Sequence, residues 1–178
     1  MSLTHAILAS LIEKSCSGYD LAKAFDGSVG FFWQASHQQI YRELSKLDKL
    51  GWITSEIIIQ EGRPDKKVYS VTQTGKQQLQ EWIAKPCEPV AVKDDLLVKI
   101  FSGYIVSEHT ILQELENHRQ AHIEKLSTYK KIEEKYFQNP QQLSQVAKFQ
   151  YLTLSKGIRY ETQWVEWCVE AIELLNKK

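Results

Sequence analysis

With 178 residues, 43% of them hydrophobic and 25% charged, the chain has apolar material for one full core and a second, smaller unit, and too much for a disordered protein. Its 22 basic and 22 acidic side chains cancel, so no overall field draws it to nucleic acid or to a membrane, and any anion contact must come from a local arrangement of charges. Three widely spaced cysteines (Cys16, Cys87, Cys168) form no C-x-x-C pair, which predicts structural thiols in a reducing compartment. The early apolar run AILASLI is too short for a signal peptide or a membrane span, so a cytoplasmic protein with no membrane partner is expected.

Residues 3–14 (LTHAILASLIEK) carry Ile7, Leu8, Leu11 and Ile12 at helical spacing, and the turn SCSG ends this first helix. A short second helix follows in YDLAKAF, then a loop marked by the two glycines of DGSVG. Ser36 opens the third helix: SHQQ has the Ser-x-x-Gln form of a capping box, in which each end satisfies a backbone N–H of the other. The helix runs to Leu50 and stops at Gly51. Beyond it the period changes from helical to alternating. WITSEIII and VYSVT are rich in β-branched and aromatic residues and flank EGRPDKK, predicting a hairpin with a cationic tip. Thr72 or Thr74 caps the next helix, with Leu79, Trp82 and Ile83 on one face. KPCEPVAV, with two prolines, then marks a linker. Past the linker the pattern is helical throughout: a short helix in KDDLLVKIFSGYI, a long one over 107–138, and a last one over 141–175.

Helix, helix, helix, hairpin, helix is the order of a winged helix-turn-helix. The expected fold is therefore mainly α with a small β-hairpin: a winged domain over 1–85, a linker over 86–92, and an all-helical dimerisation domain over 93–178. In the third helix Ile40, Leu44, Leu47 and Leu50 form an inward stripe, leaving Ser36, His37, Gln38, Tyr41, Arg42 and Ser45 facing outward. In such folds the start of this helix meets base edges in the major groove, where Gln suits adenine and Arg suits guanine or phosphate. Arg63, Lys66 and Lys67 on the wing tip are the expected contacts to phosphate or the minor groove, although Glu61 and Asp65 partly offset them. By itself the third helix is also what any capped surface helix looks like.

The combination GYDLAKAF, QIYRELSKLDKLGWI and GRPDKKVYSVTQTG resembles the PadR family of transcriptional regulators. Gly18, Tyr19 and Leu21 match its second-helix motif. Ile40, Tyr41, Leu44, Leu47 and Gly51 match the recognition helix, and Gly62, Arg63, Tyr69, Thr72 and Gly75 match the wing and the following helix start. Many members carry Pro after the recognition-helix Tyr; here Arg42 takes that place. Residues 93–178 resemble the larger subgroup, whose helical domain is shared with a virulence-activator relative, and KGIRYETQWVEWCVEAIELL is similar to its terminal pattern. The resemblance implies a repressor of double-stranded DNA at a palindromic operator, released by a small, phenolic or otherwise aromatic effector held between the two domains.

Independently of that likeness, Tyr151, Leu154, Ile158, Glu161, Val165, Cys168, Ile172 and Leu175 recur as a seam with one polar interruption, beside a second stripe of Phe149, Tyr160, Trp164 and Trp167. Leu112, Leu115, His122, Leu126, Tyr129 and Tyr136 lie on a similar seam of the long helix. Two such stripes call for a partner, so a homodimer is expected, with Leu112, Leu115, Tyr151, Leu154, Ile158, Val165, Cys168 and Ile172 at its interface. Trp33, Phe101, Tyr104, Trp164 and Trp167 are the candidate effector-lining aromatics; each is also ordinary core or dimer material. His118 and His122 have metal-ligand spacing but lack a third ligand nearby, so no metal, no cofactor and no enzymatic activity are expected. The alternatives are a winged-helix protein-interaction module that does not bind DNA, which zero net charge favours, and an effector-independent activator.

Overall fold

A computed structural model of the chain describes residues 3–25, 33–60, 62, 65–89, 91 and 93–177. The chain divides into two compact units, Met1–Pro89 and Val90–Lys178.

In the first unit the order is α1 (Leu3–Glu13), β1 (Cys16–Ser17), α2 (Gly18–Phe25), α3 (His37–Lys49), β2 (Ile53–Ile58), β3 (Lys66–Val71) and α4 (Gln73–Ile83). Each helix contributes its apolar stripe to one core. Ile7, Leu8 and Leu11 of α1 meet Leu21, Ala22 and Phe25 of α2 and Ile40, Leu44 and Leu47 of α3; Ile53, Tyr69 and Leu79 close it from the strands and α4. The hairpin is larger than the sequence pattern indicates. The turn SCSG contains a two-residue strand: Cys16 pairs with Tyr69 and Ser17 with Val68, giving a three-stranded antiparallel sheet in the order β1-β3-β2. A strand this short has no alternation to detect; only its partner identifies it. It makes β3 central and leaves β2 as an edge.

The second unit holds α5 (Asp95–Phe101), a 3-10 turn (Gly103–Ile105), α6 (Glu108–Tyr136), a second 3-10 turn (Pro140–Gln142) and α7 (Gln145–Asn176). The first helix here stops at Phe101 rather than continuing to Ile105, because Ser102 and Gly103 interrupt it. The last helix begins four residues later than its composition indicates: Pro140 opens a separate 3-10 turn, and Ser144 caps α7 by accepting from Ala147 N–H. At 1.5 Å per residue α6 and α7 are roughly 44 and 48 Å long. They pack along one another around a thin core of Ile111, Leu115 and Cys168, flanked by Trp164, Trp167, Ala171 and Ile172. Among the described residues no helix is long and apolar enough to cross a membrane.

Candidate nucleic-acid interface

The outward face of α3 is set by its cap and its core stripe. Ser36 Oγ accepts from Gln39 N–H (3.3 Å) and Gln39 Oε1 accepts from Ser36 N–H (2.8 Å), so both halves of the capping box are present. Ile40, Leu44 and Leu47 are fully buried, which rotates His37, Gln38, Tyr41, Arg42 and Ser45 to the exposed side. Ser36 is exposed too, but its hydroxyl already serves the cap. The far end closes at Gly51, whose φ of +68° is a left-handed conformation that favours glycine.

Two motif glycines mark close approaches. A Cβ on Gly18 would lie 2.5 Å from Cε1 of Tyr41, so the start of α2 packs against the rim of the Tyr41 ring on the α3 surface. A Cβ on Gly75 would lie 2.0 Å from the Trp52 carbonyl oxygen. Around that contact Thr72 caps α4: its hydroxyl donates to the Gly51 carbonyl (2.7 Å) and accepts from Gly75 N–H (3.1 Å). One threonine thus joins the end of α3 to the beginning of α4. Glu43 fastens α3 to α1 by accepting from the Thr4 hydroxyl and from Lys46. Burial raises the Glu43 pKa, but these partners outweigh it and hold the carboxyl below the usual range.

The wing cations are less available than their positions indicate. Lys66 lies 2.7 Å from Asp20 of α2, and Lys67 lies 3.4 Å from Asp48 of α3 and over the Tyr69 ring. Asp20 also accepts from Ser17, and hydrogen bonds from Lys66 and then Ser17 hold its carboxyl below the ordinary aspartate range. Arg63 and Glu61 lie outside the described residues. Asp20 and Asp48 escaped sequence reasoning because each neutralises a lysine on a different element. Exposed ion pairs of this kind contribute about 0–1 kcal/mol, so a phosphate can replace the carboxylate at little cost.

In the helical unit the polar interruption of the α7 seam has a partner. Glu161 is buried, and its Oε2 lies 2.5 Å from Nδ1 of His122 on α6. The imidazole stacks flat on Trp164 (4.9 Å between centroids, 4° between planes), and Trp164 meets Trp167 edge-on at 5.4 Å. His118 and His122 are thus parts of an aromatic cluster. Among the described residues no three His, Cys, Asp or Glu side chains converge on a common point where a metal would sit.

Of the seam residues named for a dimer, Leu115 and Cys168 are fully buried within the single chain. They form its internal core, which corrects their assignment to an interface between copies. Tyr151 is half-buried and donates to Glu133 of α6 (3.1 Å), and Leu112, Leu154, Ile158, Val165 and Ile172 are half-buried. The aromatics named for an effector have different surroundings. Trp33 packs against the first core, Trp164 and Trp167 against the second, and Phe101 and Tyr104 are almost fully exposed, at 87% and 88%.

A winged helix with a capped, polar third helix, followed by a separate unit of long helices, defines the class of winged-helix transcriptional regulators. Residues 7–81 match the transcriptional regulator PadR-like family, and residues 92–176 match the virulence activator alpha C-terminal domain. The chain is 39% identical, over the full length of both, to a probable transcriptional regulator of Mycobacterium tuberculosis. Bacillus subtilis PadR bound to operator DNA superposes with a TM-score of 0.85 at 31% identity, covering 99% of this chain and all of that one. The same protein has been solved with p-coumaric acid (TM-score 0.77, 29% identity, 99% and 96% covered). The Vibrio cholerae virulence activator AphA superposes with a TM-score of 0.80 at 33% identity over 98% of each chain. The protein belongs to the PadR-like family of transcriptional regulators.

Proposed function

We propose that the protein is a dimeric, sequence-specific DNA-binding repressor released by a small aromatic effector. The observation that carries this reading is the α3 face. Gln38, Tyr41 and Arg42 stand exposed at the start of a capped helix whose opposite side is fully buried, with Lys66 and Lys67 on the neighbouring wing. Gln38 is the base reader and Arg42 reads guanine or phosphate. Arg63, Lys66 and Lys67 hold the backbone, the carboxylate partners of the two lysines giving way to phosphates.

The dimer reading is supported by apolar surface that one chain leaves open: Val98, Phe101 and Ile105 around α5, and Phe149, Leu152 and Leu174 on α7, are each more than 60% exposed. A two-fold axis through such helices sets two recognition helices on half-sites roughly 34 Å apart. For the effector, the support is the p-coumaric acid complex of the B. subtilis relative together with the exposed Phe101 and Tyr104.

Selection from random duplexes by the purified protein tests the reading. A palindrome should emerge, with affinity falling steeply as salt rises. Gln38→Ala should relax preference at one base position, whereas Arg63→Ala should weaken binding to all sequences alike. Failure to enrich any sequence would sink the proposal. A protein-interaction module is the second reading, favoured by zero net charge and by the pairing of Lys66 and Lys67 with acids of the same chain. It predicts a protein partner and no salt-dependent DNA shift.

A further inference from the structure

The first turn of α1 holds two other helices. Thr4 donates its hydroxyl to Glu43 of α3, and the next residue, His5, lies flat on Trp82 of α4, with 4.3 Å between ring centroids and 9° between planes. Within this stack His5 Nδ1 is buried and has no hydrogen-bond partner among the described residues. A neutral imidazole tolerates that, because its proton can sit on the other nitrogen. A charged ring does not, because both nitrogens then carry protons and one N–H is buried without an acceptor. The charged groups nearby do not compensate: the amino terminus and Lys85 are positive, Glu43 already accepts from Thr4 and Lys46, and Glu81 accepts from Gln77 and Gln78. An indole face attracts a cation, but Trp82 is 41% exposed, and water weakens that attraction.

We propose that His5 is a proton-operated clasp of the winged unit: neutral, its ring keeps the first turn of α1 on Trp82; charged, it leaves the stack for water and loosens the Thr4–Glu43 tie to α3. The consequence for DNA rests on the DNA-binding reading of α3: acid then weakens binding through a residue that is not on the α3 face. Burial first, then the amino terminus and Lys85, hold the His5 pKa below the usual histidine range. Its share of stability is therefore complete above the unfolded value of about 6.5 and is lost as pH falls through the lower, folded one.

Proton NMR of the full-length protein from about pH 7.5 to about pH 5 tests this. The His5 ring should titrate below the ordinary histidine midpoint, and its nuclear Overhauser contacts to Trp82 should disappear as it does. In urea unfolding over the same range, the wild type should lose stability that His5→Phe, which keeps a flat ring but takes no proton, retains. A His5 midpoint at or above the ordinary value would overturn the proposal, as would ring contacts that persist in the charged form. Equal pH dependence of unfolding in wild type and His5→Phe would do the same. The ring titration needs no variant, so it decides the matter even where His5→Phe fails to fold. Fluorescence anisotropy on the duplex selected by the wild type supplies the functional arm. Affinity should fall more steeply with acid in wild type than in His5→Phe, a comparison that cancels any charge change at His37. Equal falls would overturn the link to α3. A wild type that selects no duplex would remove the DNA-binding reading itself, a separate result.

Discussion

At the scale of single residues, the motif glycines and the wing charges do different work from what their sequence neighbours indicate. Gly75 faces a backbone oxygen at 2.0 Å, which cannot swing aside, whereas Gly18 faces the rim of a tyrosine ring. Gly75→Ala should therefore destabilise the first unit by about 1–3 kcal/mol or more in urea unfolding, the larger effect of the two. Gly18→Ala should instead displace Tyr41 and disturb the α3 face. Asp20 gives a pH signature. Its folded pKa is held below the unfolded value, so its stabilising share is present above roughly pH 4 and is lost as pH falls through the lower, folded value. Asp20→Asn should abolish that part of the acid sensitivity. It should also free Lys66, tightening DNA binding at low salt, which a salt-series anisotropy measurement would register.

At the scale of elements, the helix start at Ser36 and the inward stripe of Ile40, Leu44 and Leu47 were legible, because each depends on hydrogen bonds or periodicity within a few residues; Leu50, expected on that stripe, is instead 50% exposed at the helix end, and the choice of Thr72 over Thr74 as cap was made only by its contacts with Gly51 and Gly75. The strand β1 was not: two residues carry no period, and Cys16 and Ser17 become a strand only against Tyr69 and Val68. Glu161 is the sharper case. On α7 alone it looked like a flaw in a seam; across from His122 it is half of a buried pair under Trp164. Glu161→Leu should cost about 1–3 kcal/mol, since it leaves the buried His122 ring nitrogen without its hydrogen-bond partner. His122→Phe combined with Glu161→Leu should recover most of the loss. Chemical unfolding of the single and double variants would distinguish this pairing from independent packing effects.

At the scale of the whole molecule, the second unit buries little beyond a thin strip between two helices of roughly 44 and 48 Å, and that strip already takes Leu115 and Cys168. The remaining apolar surface on α5 and α7 supports assembly, but through residues outside that internal core. Sedimentation should give twice the 20.7 kDa chain mass at micromolar concentration. Phe149→Ser with Leu152→Ser should shift it toward the single chain; a monomeric wild type would leave those faces without an occupant.

The order of the main helices and the hairpin, the capped third helix, most of its core stripe and the family were determined by the sequence itself, because local hydrogen bonding, periodicity and ordered motifs are written in neighbouring residues. Only the tertiary structure decided which charges neutralise the wing, which seam residues serve one chain's own core, where Glu161 finds its partner, and that Ile57–Ile59 remain uncovered. Each of these turns on residues that are distant along the chain and meet only when the chain folds. Pairing energies and burial depend on that meeting, which no local pattern encodes.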